Sequence, residues 1–466
     1  MAARERILIV GFGVNNAALL PHWLARGARV TVADRREGVR DPEAGPVAWA
    51  VGPSYLDQAR AHGPYDRVYL TPGIPPHQPD VQRLAAGSVL TCETDLFLEL
   101  CPAPVLGITG SAGKTTTTTL LGTMLAADGS RPVHVGGNIG RSLLAELGRI
   151  GSTDWVVLEL SSFQLQLVTQ SPAGAAVLNL SPNHLDHHRD MEEYAASKAR
   201  IFAFQRPEDF LVTDAAPPPL MAAALAQHRG QRYTVSQSGA VEQGAYVDGR
   251  TIWWRPEPAG AAIPIQTLDH WHLPGPMNVQ NALVATAMAL RAGARPEAVA
   301  AALAEFRGVP HRLELVAERR GVRYINDSIA TAPDRTLAAL DALGGGARPG
   351  ADQAPPGLVL VAGGYDKHLD YGLLGQALAR CARVVALTGP TGPAIAEAIA
   401  AAGGGPIVMG PLPFDDAVRA ALQAARPGDV VLLSPAAASY DAFRNFEERG
   451  QRFRTLVASH LGSPLA

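Results

Sequence analysis

The chain has 466 residues, 47% of them hydrophobic, and its 40 Lys and Arg nearly balance 43 Asp and Glu for a net charge of −3. That length makes room for about three domains of the usual ~100–200 residues, and the charge argues against nucleic acid as a main partner. The three cysteines, Cys92, Cys101 and Cys381, are scattered and form no CxxC pair, which argues against a disulfide framework or a cysteine-ligated zinc.

Residues 7–10 form an apolar strand directly after Met1–Arg6, with no signal-peptide core between them. No apolar run approaches the ~18 residues of a membrane span, so a soluble cytoplasmic protein without a membrane partner is expected. Gly11-Phe12-Gly13-Val14-Asn15-Asn16 turns into a helix near 17–26, and the next strand, 30–34, ends in Asp34. This βαβ unit, with an acid about 20 residues on, outlines a nucleotide site. Asn16 stands where a dinucleotide fingerprint has its third glycine, so a nucleotide other than NAD is favoured. Asp34 suits a ribose or diphosphate. Arg35 and Arg36 suit a diphosphate or a solvated basic face equally. Residues 68–74 form a later strand with a tight turn near Gly73, at the edge where open sheets bind ligands.

Pro102 and Pro104 mark a linker. Beyond it lies the stretch that organises the chain, Gly107-Ile108-Thr109-Gly110-Ser111-Ala112-Gly113-Lys114-Thr115, followed by a helix from Thr116. It has the order strand, glycine loop, helix. The glycines let backbone N–H groups point into one hollow, Lys114 supplies a cation and Thr115 a hydroxyl for Mg²⁺. The helix dipole favours anions at the same place. The usual P-loop has a glycine at the position of Ile108, so the motif is the variant T-G-x-x-G-K-T. The alternative is a plain glycine turn with a chance lysine.

Residues 136–140 form a backbone-exposing glycine loop, and 155–162 a buried strand ending in Glu159, Ser161 and Ser162. A strand at 177–180 precedes His184-Leu185-Asp186-His187-His188. Lys198 lies on a helix over 191–204 among apolar neighbours, where a lysine ordinarily snorkels to the surface. Short strands fill 230–265, and a helix covers 278–291. A third domain begins near Gly308, with strands at 313–317, 322–326, 358–362, 383–388 and 430–434 and a Gly/Pro/Ala-rich mobile loop at 344–357. Alternating strands and helices give an α/β class with parallel, doubly wound sheets.

Three features combine: the phosphate loop, the candidate metal ligands Glu159 and His184 at strand ends, and polar clusters in the third domain (Asn326-Asp327-Ser328, Asp366-Lys367, Ser434 to Asp441). The ligands suit Mg²⁺ held mainly through phosphate oxygens and water. For His184 a packed loop histidine is the plain alternative. Domains that bring groups to one phosphate suggest closure around several ligands.

The chain resembles the Mur ligases. The resemblance runs through Thr109–Thr115, Gly137-Asn138-Ile139-Gly140, Leu158–Leu165, Asn183–His188 and Lys198, then Gly275–Ala282, Pro310–Glu314, Ile325–Ser328 and Leu433–Ser439. Two stretches, 160–165 and 443–450, resemble the branch that adds glutamate to a UDP-muramoyl-alanine acceptor. The resemblance implies three domains. These are a Rossmann-like UDP-sugar domain at 1–101, a central P-loop-type ATPase domain with a parallel sheet at 102–308, and a Rossmann-like amino-acid domain at 309–466. It implies an ATP-dependent, amide-forming ligase of peptidoglycan precursor synthesis, hence of cell wall, shape and division. Its partners would be UDP-N-acetylmuramoyl-L-alanine, glutamate (D-glutamate expected) and ATP, and the chain would be a monomer. By resemblance, Gly110, Ser111, Ala112, Gly113, Lys114, Thr115 and Thr116 hold the phosphates, and Lys114 contacts β and γ. Thr115 and Glu159 hold one Mg²⁺, and His184 and a carbamylated Lys198 a second. Asn278, Asn281, Arg312 and Asp327 hold adenine, ribose or phosphate. Val14, Asn15, Asp34, Arg35 and Gly73 lie near uracil or diphosphate, and Asn138 near the muramoyl-alanine. Thr331, Lys367, Ser439, Tyr440 and Phe446 meet the glutamate. The segment Asp327-Ser328-Ile329-Ala330-Thr331-Ala332 departs from the family's Asp-Ser-Lys-Ala-Thr-Asn, losing a cation beside the amino-acid pocket. A ligase that adds L-glutamate is therefore an alternative. A folylpolyglutamate-synthase-like ligase and a plain NTPase switch are further ones.

Overall fold

The computed structural model describes residues 4–41, 43–139, 142–182, 187–273, 275–343, 357–367 and 369–462, with the backbone alone at Val14. His184 and all but Gly357 of the 344–357 segment lie outside the described residues. The chain forms two compact units, 1–306 and 307–466.

The first unit carries two sheets. Strands β1 (Arg6–Val10), β2 (Arg29–Asp34), β3 (Val47–Val51), β4 (Arg67–Leu70) and β5 (Val89–Thr91) form an all-parallel sheet in the order β3-β2-β1-β4-β5. Ile7 and Ile9 of β1 enter one core while Leu8 and Val10 enter another. That two-sided burial explains the unbroken apolar run at 7–10. The second sheet has nine strands: β6 (Val105–Thr109), β7 (Val133–Gly137), β8 (Trp155–Glu159), β9 (Gly174–Val177), β10 (Phe210–Asp214), β11 (Gln231–Ser236), β12 (Gly244–Asp248), β13 (Thr251–Arg255) and β14 (Ile263–Thr267). Its order is β14-β13-β12-β11-β10-β9-β6-β8-β7, antiparallel only where β13 and β14 join. One hydrophobic core holds Ile7, Trp23 and Tyr69 of the first sheet region together with Val105, Leu158 and Leu165 of the second. The other face of the second sheet is covered by helices Lys114–Asp128, Pro276–Arg291 and Pro296–Glu305.

The second unit holds β15 (Glu314–Arg319), β16 (Val322–Asn326), β17 (Leu358–Gly363), β18 (Ala382–Thr388), β19 (Ile407–Leu412) and β20 (Val430–Leu433). The order is β15-β16-β20-β17-β18-β19, parallel except for the β15–β16 hairpin, with a core on each face.

Some elements differ from those expected of the sequence. The strand expected at 177–180 is β9, which stops at Val177 because Asn179 turns its side chain to the phosphate loop. The glycines expected to form a loop at 136–140 begin as the end of the edge strand β7. β3, β5, β10 and β19 had no counterpart in the sequence reading.

Helix Pro333–Ala342 starts from Ala332, whose backbone is extended as a cap requires but whose side chain caps nothing. Ala332→Asn should supply the missing acceptor and stabilise by about 1 kcal/mol. The thermal transition of the second unit should rise by roughly 2–4 °C. An unchanged or lower transition in calorimetry would refute this.

Candidate active site

Strand β6 runs between β8 and β9 at the centre of the second sheet, and the loop after it turns into helix Lys114–Asp128. Gly113 caps this helix at φ +84, and a Cβ there would come within 2.3 Å of Asn281 Oδ1. Only glycine permits both the turn and the close approach. Asn281, 2% exposed, is thereby pressed against the loop, and its Nδ2 donates to Asn278 Oδ1 at 3.3 Å.

The loop is braced from below. Ser111 N donates to Asn179 O at 3.1 Å, and Ala112 N to Asn179 Oδ1 at 2.9 Å. Ser111 Oγ meets Tyr194 OH at 3.0 Å and Ser181 O at 3.0 Å. The sequence reading had successive loop N–H groups facing the hollow. Those of Ser111 and Ala112 instead serve the scaffold, so Gly113 to Thr116, at the helix start, are the ones placed to meet an anion. Asn179 was overlooked because it sits within an apolar run. Its polarity among Leu178 and Leu180 was the available signal.

Two lysines converge here. Lys114 Nζ donates to Gly110 O at 3.0 Å and Ser111 O at 3.2 Å, and Lys198 Nζ donates to Gly110 O at 2.9 Å. Lys198 is 1% exposed, so it does not snorkel. Its amine lies 4.5 Å from the centre of the Tyr194 ring. Burial first, and the Lys114 charge second, push the Lys198 amine down to about 6, which leaves it largely neutral at pH 7.

Glu159 closes β8 on the same side of the sheet as Val157, the side covered by the loop helix. Its Oε1 accepts from Asn138 Nδ2 at 3.0 Å, and its carbonyl accepts from Asn138 N at 2.8 Å. Gly137, at φ +94, lets the chain pass; a Cβ would sit 2.3 Å from Glu159 O. Among the described residues Glu159 Oε2 is buried with no hydrogen-bond partner. An orphaned carboxylate oxygen beside a phosphate loop fits a Mg²⁺ ligand. Thr115 is buried at the first turn of the same helix. Among the described residues no three His, Cys, Asp or Glu side chains cluster as a metal cage, which suits an ion held mostly by phosphate oxygens and water. Asn138, expected at the acceptor substrate, here orients Glu159.

At the carboxyl edge of the first sheet, Gly11, Asp34, Arg35, Tyr55, Gly73 and Gln78 line a cleft. Asp34 accepts from Phe12 N at 2.7 Å and from Arg36 Nε and Nη2 at 3.0 Å each. Burial would raise its carboxyl, but Arg36 and the backbone N–H groups outweigh that and hold it below the usual range. Arg36, itself exposed at the cleft, is engaged with Asp34, and Arg35 is exposed beside it. Asn15 lies on the short helix Val14–Ala17 that follows Gly13. Asn16, fully buried, donates to Gly11 O at 3.0 Å in place of a third glycine.

In the second unit, Arg312 lies between His311 at φ 63 and Leu313 at φ 43. Two left-handed non-glycine residues mark a strained turn. Leu313 N and Ser434 Oγ donate to the two oxygens of Asp327 at 3.2 and 2.7 Å. Ser328 Oγ donates to Phe446 O at 2.8 Å. Ser439 is buried, Thr331 is half-buried, and Lys367 and Tyr440 are exposed. The Tyr440 ring packs edge-on against Tyr365 at 6.1 Å.

Comparison with known proteins bears on this arrangement. Residues 108–289 match the Mur ligase middle domain, and 311–437 the Mur ligase glutamate ligase domain. A UDP-N-acetylmuramoylalanine–D-glutamate ligase of Symbiobacterium thermophilum is 43% identical over 97% of this chain and 98% of its own. The enzyme of that name from Acetivibrio thermocellus is 36% identical over 98% and 96%. The crystal structure of the MurF ligase of Thermotoga maritima in complex with ADP superposes with a TM-score of 0.52, at 16% identity over 99% and 96% of the two chains.

Burial raises the Asp327 carboxyl from 3.8 to about 6, against the pull of Ser434 and the Leu313 N–H. Folded, the group keeps its proton to about pH 6; unfolded, it loses it near its ordinary value. The unfolded chain therefore binds fewer protons in this interval, and stability falls as pH rises from about 4 to 6. Asp327→Asn should be more stable than the parent above pH 6 by about 1–3 kcal/mol and equal to it below pH 4. Urea unfolding across that range checks this, and a difference independent of pH would contradict it.

Proposed function

Since the chain belongs to the Mur ligase family, we propose that it joins glutamate, in its D form, to the L-alanyl carboxylate of UDP-N-acetylmuramoyl-L-alanine at the expense of ATP. The chain is an amide-forming, ATP-dependent ligase of peptidoglycan precursor synthesis. The observation that carries the reading is the buried Glu159 oxygen, without a partner among the described residues, beside a loop gripped by two lysines. Such a site handles polyphosphate, and the relatives match over essentially the whole chain.

A carboxylate and an amine do not condense unaided in water. The alanyl carboxylate attacks the γ-phosphorus of ATP and ADP leaves, giving an acyl phosphate. The glutamate amine attacks the acyl carbon, and the tetrahedral intermediate expels phosphate. Positioning and charge neutralisation carry such steps. Lys114 and the N–H groups of Gly113 to Thr116 would hold the phosphates, and Asn278 and Asn281 the nucleoside. Arg312 and Asp327 would complete the ATP contacts. The cleft at Asp34, Arg35 and Gly73, with Val14 and Asn15 at its helix, would take the UDP moiety, and Asn138 the muramoyl-alanine. Thr331, Lys367, Ser439, Tyr440 and Phe446 would hold the glutamate. Mg²⁺, when bound, offsets phosphate charge; Thr115 and Glu159 would hold one ion, and His184 with a carbamylated Lys198 a second. Lys198 as a free amine cannot ligate a cation well, but its amine is largely unprotonated at neutral pH and can add CO₂, releasing a proton to give a carbamate. The three sheets would then correspond to UDP-sugar, ATP and amino-acid domains at 1–101, 102–308 and 309–466. Soluble nucleotide substrates place the reaction in the cytoplasm, and the active species would be a monomer.

Incubation with UDP-muramoyl-alanine, ATP, Mg²⁺ and D-glutamate should release phosphate. None with either enantiomer would sink the reading. The second reading, L-glutamate, is favoured by one observation: Ile329 and Ala332 remove the cation and amide that would face the pocket. Preference for the L enantiomer in the same assay would select it.

Lys198→Ala should lose activity that bicarbonate cannot restore, and the parent should slow when CO₂ is stripped. Undiminished turnover of the parent without CO₂ would remove the carbamate.

A further inference from the structure

Arg449 lies on helix Phe446–Leu461 and is 1% exposed. Its Nε donates to Ser328 Oγ at 3.0 Å and its Nη2 to Ser328 O at 2.9 Å. Its Nη1 donates to the carbonyls of Ala437 and Ala438 at 3.0 and 3.1 Å. All these acceptors are neutral. A guanidinium withdrawn from water is costly unless an anion answers it; Asp441 attracts it through charge, and filling space alone would not need a charge. Burial lowers its pKa to about 10, with Asp441 pulling the other way, so it stays charged at neutral pH.

The segments it grips are those assigned to glutamate. Ser328 sits between Asp327 and Thr331, and its hydroxyl also ties down Phe446 O. Ala438 precedes Ser439, and its carbonyl also accepts from Tyr365 N at 2.9 Å, two residues from Lys367. In a trans peptide the C=O and the next N–H point in opposite directions. Drawing the Ala437 and Ala438 carbonyls toward Arg449 therefore turns the N–H groups of Ala438 and Ser439 away from it. Among the described residues nothing accepts from the Ser439 N–H or hydroxyl. Ile329, which follows Ser328 in the chain, adds no charge.

We propose that Arg449 is a positioning residue of the amino-acid subsite, aiming the Ser439 donors at a substrate carboxylate and lending the buried positive charge that favours a dicarboxylate. This rests on the glutamate reading above and extends it to a residue that does not touch the substrate. Interior charges are poorly screened, so the effect reaches across the intervening peptides.

The test compares Arg449→Met, Arg449→Lys and Arg449→Met with Ile329→Lys, measuring KM separately for glutamate, ATP and UDP-muramoyl-alanine. The acyl phosphate formed without glutamate is trapped by borohydride reduction. Arg449→Met should raise KM for glutamate about tenfold or more, with the other two KM values within about twofold and the acyl phosphate still trapped. Ile329→Lys should recover at least about threefold of that loss by restoring a cation. Arg449→Lys, which keeps charge but not the fork, should fall between parent and Arg449→Met. Three KM values rising together, or no recovery by Ile329→Lys, would overturn the role. If Arg449→Met does not fold, an unchanged KM for glutamate in Arg449→Lys overturns it alone. A parent enzyme inactive with both enantiomers would overturn the glutamate reading and this role with it.

Discussion

Two amines on one carbonyl set the terms for the rest of the first unit. Lys114 and Lys198 both donate to Gly110 O, although they are far apart in sequence and on different helices. Each discourages the other's charge, and because Lys198 is the buried one, it gives way. The loop thus carries Lys114 at the helix start and beside it the buried amine of Lys198, pushed down toward neutrality. Asn179 consumes the loop N–H groups of Ser111 and Ala112, which fixes the loop's shape before any phosphate arrives. Preorganisation of this kind spares reorganisation when charge moves.

The carboxylate that complements this cation is delivered by strand register. Ile108 of β6 pairs with Glu159 of β8, and Glu159 pairs with Gly137 of β7. A slip of one residue in β8 would turn Glu159 to the opposite face, into the core shared with the first sheet. The apolar sequence of Val156, Val157 and Leu158, buried on both faces, holds that register. Gly137 then lets the neighbouring strand pass close enough for Asn138 to bond Glu159 twice, its side chain to the carboxylate and its backbone N–H to the main-chain carbonyl.

Much of this was legible in the sequence because glycine and charge placed inside apolar runs are hard to explain otherwise. The phosphate loop, Glu159 and the alternation of strands and helices were of this kind. The strands β3 and β19 were not, since their short apolar runs show no alternation and are only partly buried, so that the neighbouring strand defines them. Asn179, Arg36 and Arg449 were also out of reach as partners. Each acts on a residue distant in sequence or on main-chain atoms, and main-chain acceptors leave no signature in composition. Lys198 is the opposite case, where position on an amphipathic helix suggested a surface residue and tertiary packing buried it.

Three of the imperfectly satisfied groups in the fold share a property. Glu159 Oε2 lacks a partner among the described residues, Lys198 is buried as an amine, and Arg449 is buried with neutral hydrogen-bond acceptors. Each would be cheaper as an apolar side chain of similar volume. They sit at the three places assigned to metal, second metal and amino acid. A fold that keeps such groups is less stable alone than it could be, and it recovers the difference only when ligands of the matching charge arrive. If ligands bind at the proposed places, binding and stability are coupled there, and the sign of each group, negative at Glu159 and positive at Arg449, states which ligand charge does the coupling.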